Sequence, residues 1–209
     1  MRKILPESEN PALREIASDI PIDEIKSLRI RKLIAEMKSL LAKEEYGVAL
    51  AAPQLGESIK IFIISGRALL RQAQDKSPRH PRTDYEDTPV EPIRHAEGKP
   101  ANDKEPSSVV SEVEPDQIYI NPEITKMSRG KKEKHEGCLS IRGYWGLVPR
   151  AEKATIRAYD EDGRRFTRGA SGFLAHIFQH EMDHLSGILY TDKATEMYEE
   201  KEEKEKARD

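Results

Sequence analysis

The chain has 209 residues, 36% of them hydrophobic and 35% charged, with a formal charge of -3, a pI near 6.1 and one cysteine. That length can bury one sizeable core, and the near-balanced charge gives no global attraction to nucleic acid or to an anionic membrane, so neither partner is expected. No stretch nears the roughly 18 apolar residues of a membrane span, "MRKILPESEN" lacks the apolar core of a secretory signal, and the lone Cys138 excludes an internal disulfide, so a reducing, cytoplasmic setting is expected.

From Asp23 to Glu44, Ile25, Leu28, Leu33, Ile34, Met37, Leu40 and Leu41 recur at helical steps, which predicts a helix starting near Asp23. "GVALAAPQLG" (Gly47 to Gly56) reads as a short strand and turn whose backbone approaches something closely. "IKIFIIS" (Ile59 to Ser65) is β-branched and aromatic, a strand. Composition then breaks: Ser77 to Pro115 holds seven of the thirteen prolines, many charges and no sustained apolar period. The stretch at about 66–116 is expected to be a solvated insertion rather than a domain.

"QIYINPEI" (Gln117 to Ile124) predicts a strand ended by Asn121-Pro122. "KATIRAYDEDGRRF" (Lys153 to Phe166) alternates and then turns at Asp162-Gly163, a hairpin signature. From Ser171 to Ser186 the apolar residues follow a helical period, with Ser171 placed as N-cap and Gly187 as the left-handed residue past the end. The last fourteen residues carry eleven charges and predict an exposed helix or a frayed end. The expected organisation is one domain over 1–190 and a charged tail over 191–209.

The second helix contains "QHEMDHL". Residues four apart on a helix lie one turn apart on one face, so His180 and His184 can aim at one cation with Glu181 beside it. A catalytic metal wants three protein ligands and an open position. In the extended protease form of this motif the third ligand falls at Tyr190, a poor substitute for imidazole. A glutamate among residues 199–205 would have to dock from a tail without an apolar face. Cys138 in "EGCLS" remains, giving a Cys-His-His metallohydrolase candidate.

Three strings occur in order: "GVALAAPQ", "EGCLS" and "QHEMDHL". Together they resemble the signature motifs of the peptide deformylase family. "NPALREIA", "INPEI" and "LVPRAEKATIRAYDEDGR" are similar to its framework, so the resemblance covers most of the chain outside the insertion and the tail.

The resemblance implies an α+β fold, with antiparallel and mixed sheets around a buried C-terminal helix that carries the His-Glu-x-x-His motif. It implies removal of the formyl group from the N-formylmethionine of new proteins, with formate released. One divalent metal, usually Fe2+, with Zn2+, Ni2+ or Co2+ compatible, would be held by Cys138, His180 and His184. Glu181 would move the proton, and the Gln54 amide and Leu139 N–H would donate to the developing oxyanion. Gly47, Val48 and Gly137 would line or pair with the peptide, and Phe173, His176 and Ile177 would border the pocket for its first side chain.

The substrates would be N-formylmethionyl nascent peptides, which brings in an expected transient ribosome contact. The family also suggests an ion pair between Glu136 and Arg150, and His135 should face away from the site. Ala49 stands where the family usually has glycine, placing a methyl group beside the expected formyl site. On the residues alone, two other readings stay open: a zinc protease, favoured by cleavage of an unformylated internal peptide, and a metal-stabilised binding module, favoured by absence of deformylation.

Overall fold

A computed structural model describes residues 2–69 and 115–200. Helix α1 (Leu28–Leu41) is shorter than the periodicity predicts. Ser27 takes the capping role in place of Asp23, its hydroxyl accepting the Ile30 N–H at 3.3 Å, and Ile22–Glu24 forms a separate 3-10 turn. At the other end Arg67 donates to the carbonyls of Leu41 and Glu44, both at 3.3 Å, beside the Glu44 and Gly47 N–H groups these carbonyls already accept, and so clasps the chain where it leaves the helix.

Strand β1 (Ala49–Ala51) leads into a 3-10 turn (Ala52–Leu55) and then β2 (Ile61–Ile64). The chain continues through β3 (Gln117–Met127), β4 (Lys131–Cys138), β5 (Ile141–Ala151), β6 (Lys153–Tyr159) and β7 (Arg165–Ser171). Helix α2 (Gly172–His184), a 3-10 turn (Tyr190–Asp192) and β8 (Glu196–Glu199) complete it. The expected hairpin is β6–β7, and Gly187 lies past α2 with φ 70° as its position demands. A methyl there would also come within 2.8 Å of the Arg14 carbonyl oxygen.

Two antiparallel sheets form, one in the order β1-β2-β3-β6-β7 and one in the order β4-β5-β8. The larger sheet is covered on both faces. Phe62, Ile64, Tyr119 and Ile156 turn toward Ala175, Ile177 and Phe178 of α2. Leu50, Ile61, Ile63 and Ile120 turn toward Ile30, Leu33, Ile34 and Met37 of α1. A strand buried on both faces needs no polar alternation, which is why β2 reads as an unbroken apolar run. The α+β expectation, with the motif helix buried, holds.

Besides the later start of α1, two elements differ from expectation. Asn121-Pro122 does not end β3 but sits at a β-bulge, where Ile120 pairs with Tyr159 and Glu123 with Arg157. Asn121 takes φ 46° there, and its side-chain amide accepts from Ile20 N–H at 2.8 Å and donates to Ile20 O at 2.7 Å. A bulge tolerates the missing proline donor. The start of the charged tail is also neither helix nor frayed: Glu196–Glu199 pairs with β5, adding a third strand.

The expected insertion at 66–116 falls mostly outside the described residues. Its margins are tied together, with Gly66 N–H donating to Asp116 at 3.0 Å, and residues 66–69 are helical with Ala68 and Leu69 buried in the core.

Candidate metal centre

The cluster forms where the two sheets meet across α2. His180 and His184 stand one turn apart on the helix, with ring centroids 4.9 Å apart and planes nearly perpendicular. Cys138 arrives at the end of β4, just before the two-residue turn Leu139-Ser140 into β5. Along β4, Glu136 and Cys138 share the inner face while His135 and Gly137 share the outer one. Cys138, His180 and His184 each offer a ligand atom, and these atoms all lie within 4.8 Å of one another. Cys138 Sγ is 3.3 Å from His184 Nε2.

The surrounding bonds fix the rings. Glu136 is buried and accepts from His180 Nδ1 at 2.7 Å, which leaves His180 Nε2 for the cluster. Its carboxylate also bonds His176 Nε2 and takes Arg150 Nε at 2.7 Å and Arg150 Nη2 at 3.0 Å. The expected Glu136–Arg150 pair is therefore present. Arg150 continues to Asp183 at 2.5 Å, and Asp183 accepts Lys193 at 2.6 Å, so a chain of alternating charge runs from a ring of the cluster to the surface. Burial opposes ionisation of Glu136, but the bonds from His176, His180 and Arg150 prevail and hold its carboxyl far below the ordinary range.

The donor set suits a divalent cation. A tetrahedral site with metal–sulfur near 2.3 Å and metal–nitrogen near 2.0–2.1 Å has donor–donor edges of about 3.3–3.6 Å, the scale of this cluster. The electrostatics agree, because the cluster favours positive charge. Burial opposes charging His180, yet its contacts with Cys138 and Glu136 raise it well above an ordinary imidazole. Burial, together with that charge on His180, holds His184 well below one, so the two rings are not protonated together.

Two buried side-chain atoms find no hydrogen-bond partner among the described residues, Glu181 Oε2 and His184 Nδ1, and both belong to this motif. Burial, the leading cause, pushes the Glu181 carboxyl up to about 7 against the lowering influence of His180.

Gln54 faces the cluster from the turn after β1. Its Oε1 accepts the Ala51 N–H at 2.8 Å, so its Nε2 is the end turned to Cys138 Sγ and Ser140 Oγ, each at 3.4 Å. Leu139 is partly buried against the apolar cluster under α1. A methyl on Gly47 would lie 2.7 Å from Glu44 Cβ and 2.9 Å from a Leu41 methyl, so packing against the end of α1 by itself requires glycine there.

Val48 offers its carbonyl to Ser65 N–H at 2.9 Å. Of the three residues expected to border the pocket, Phe173 is exposed on the first turn of α2, Ile177 is buried in the core, and His176 is bound to Glu136. Ala49 is buried in the same apolar cluster as Ala175 and Ile177. His135 faces away from the cluster, as expected, and bonds the Tyr198 hydroxyl.

Tyr190, the third-ligand position of the protease form, donates its hydroxyl to the Tyr144 carbonyl at 2.9 Å and stacks on the His180 ring. Glu199 accepts the Tyr144 hydroxyl at 3.2 Å. Neither belongs to the cluster. Sequence reasoning missed Asp183 and Lys193; the available signal was a carboxylate on a helix otherwise buried, which demands a cationic partner.

The family model described as polypeptide deformylase matches residues 1–200. The chain belongs to the polypeptide deformylase family. Deformylases are metal-dependent hydrolases that remove the N-formyl group from newly made proteins, and this chain is a hydrolase of that kind.

It is 34% identical over 190 residues to a peptide deformylase of Dictyoglomus thermophilum, covering 88% of this chain and 94% of that one. It is also 34% identical over 186 residues to a chloroplastic peptide deformylase 1A of Solanum lycopersicum, covering 88% of this chain but only 56% of that longer protein. Among solved deformylases, that of Acinetobacter baumannii bound to Met-Ala-Ser superposes with a TM-score of 0.66 at 26% identity, covering 92% of this chain and 98% of the other. No helix among the described residues is long and apolar enough to cross a membrane.

Proposed function

We propose that residues 1–190 act as one catalytic domain, in which Cys138, His180 and His184 hold a single divalent cation, with 66–116 as an insertion whose first residues, Ala68 and Leu69, pack into the core and 191–209 as a charged tail that begins by adding β8 to the small sheet. Fe2+ is the expected ion, and the mixed thiolate and imidazole set also accepts Zn2+, Ni2+ or Co2+. When bound, such a cation supplies Lewis acidity, which makes water more acidic and polarises a carbonyl oxygen.

The chain's own groups carry the proton and the charge. Water adds to the formyl carbon while Glu181 accepts its proton. The carbon–nitrogen bond then breaks, Glu181 returns the proton to the departing amine, and formate leaves. As the formyl oxygen gains negative charge, Gln54 Nε2 and the Leu139 N–H donate to it. Gln54 suits this role because Ala51 holds the opposite end of its amide, so no reorientation is needed during the reaction.

The substrate is an N-formylmethionyl nascent peptide laid between Val48 and Gly137. Gly47 shapes that wall, and Phe173, His176 and Ile177 border the pocket for the methionine side chain. The Acinetobacter relative's complex with Met-Ala-Ser supports a site for a short peptide. Action on nascent chains in the cytoplasm, with a transient ribosome contact, follows from that substrate.

One observation carries the reading: three ligand atoms within 4.8 Å of one another beside a buried carboxylate whose Oε2 has no partner among the described residues. Glu181→Gln is expected to lower formate release from a formyl-Met peptide by ~10²–10⁴-fold with the bound metal unchanged. Equal rates for the variant and the parent would reject this mechanism.

A further inference from the structure

Trp145 is the only tryptophan in the chain. The β4–β5 register pairs His135 with Leu147 and Glu136 with Gly146, then shifts before Cys138, which pairs with Ile141, and at that shift Trp145 packs against Gly137. A Cβ placed on Gly137 would lie 3.3 Å from both Cε3 and Cζ3 of that ring. The indole therefore lies flat over the Gly137 backbone, one residue from Cys138. Tyr198, its register partner on β8, stands behind it and is itself bonded to His135. The indole is only half-buried, so part of its surface is open.

Among the described residues β4 is the edge of its sheet. A peptide added along that edge at Gly137 would place the side chain of its directly opposed residue on the same face as the missing glycine side chain. If the first peptide side chain turns inward, on the Cys138 side, alternation sends the second one outward. Gly137 has no side chain to meet it there, and the indole occupies that place.

We propose that Trp145 is a specificity-determining residue: its indole, laid over Gly137, is the surface against which the second residue of a formyl-Met-X substrate packs, favouring aromatic and long aliphatic X over glycine. The inference rests on the proposed pairing of the peptide with Gly137. The competing role is purely structural, an aromatic side chain covering a glycine in a sheet, and it would affect all substrates alike.

Two measurements separate these roles. The first is the ratio of kcat/KM for formyl-Met-Phe-Ser to that for formyl-Met-Gly-Ser. It is expected to fall about fivefold in Trp145→Ala and to be largely kept in Trp145→Phe. The second is the emission of the single tryptophan in the metal-loaded parent, which is expected to shift on saturation with the product peptide Met-Phe-Ser and to shift less with Met-Gly-Ser.

An unchanged ratio in Trp145→Ala, or an equal fall for both substrates, overturns the proposal. Emission that ignores saturating Met-Phe-Ser also overturns it, and that measurement decides the matter should Trp145→Ala fail to fold. Formate release from neither peptide by the parent overturns the functional reading and this one with it, whereas normal release with an unchanged ratio overturns this one alone.

Discussion

The two sheets are built on opposite principles. In the five-stranded sheet, β2 is apolar on both faces and lies between α1 and α2, so burial of hydrocarbon stabilises it. The three-stranded sheet gives few side chains to either core cluster. Its inner face presents Glu136 and Arg150, 4% and 5% exposed, which meet Asp183 and two histidines of α2. Apolar packing tolerates small shifts of position, whereas a hydrogen-bonded charge network fixes distances and ring orientations. Cys138 is thus delivered by the sheet that geometry controls, and the histidines by a helix that both regions hold.

Truncating one member of each region breaks the comparison most directly. Arg150→Ala leaves the Glu136 and Asp183 carboxylates buried without their shared cation, and is expected to cost about 3–5 kcal/mol in denaturant unfolding. Phe178→Ala empties a fully buried site in the apolar region, also at about 3–5 kcal/mol. Similar stabilities then hide different consequences. Metal titration of the folded fraction should show affinity reduced ~10–100-fold in Arg150→Ala, through the lost support of His180, and nearly unchanged in Phe178→Ala. Equal metal affinities in the two variants would mean the ion network has no part in holding the site.

Alkali sharpens the contrast from the apolar side. Tyr119 is fully buried among Phe62, Phe166 and Phe178, and burial, its leading influence, pushes its phenol up to about 12. The folded value lies above the ordinary 10.0. Its contribution is therefore fully present below pH 10 and is lost as pH rises toward about 12, about 3 kcal/mol in all at 1.4 kcal/mol per pH unit. Tyr119→Phe should flatten that part of the stability curve, measured by denaturant midpoints across pH 9–12. An alkaline limb identical to the parent's would show that other groups carry it.

Much of this was legible because it is local. The helix bearing His180 and His184, the β6–β7 hairpin and the double-faced strand β2 all follow from periodicity within about a dozen residues. The grouping of Cys138 with His180 and His184 was legible because the two histidines sit one helical turn apart and a single cysteine was available to join them. The rest depends on partners distant in the chain. The bulge at Asn121 is held by Ile20, 101 residues away. Strand β8 forms from a run that reads as charged because β5 offers an edge, and Met197 and Tyr198 are the only clues within it. Trp145 gains its meaning only from the glycine it covers on the neighbouring strand.

The smallest expected effect comes from a second arginine, and it isolates burial as the variable. Arg14, like Arg150, bridges two carboxylates, donating to Asp192 at 2.5 Å and to Glu7 at 2.7 Å. The bond lengths resemble those of Arg150, but the Arg14 side chain is 44% exposed against 5%. Water already solvates the charges in that pair, so removing one strands nothing. Arg14→Ala should cost under about 1 kcal/mol, and less as salt rises. Denaturant unfolding of both alanine variants at low and high ionic strength checks this. A loss at Arg14 that matched Arg150 and persisted at high salt would show that bond geometry, and not desolvation of the partners left behind, sets the cost.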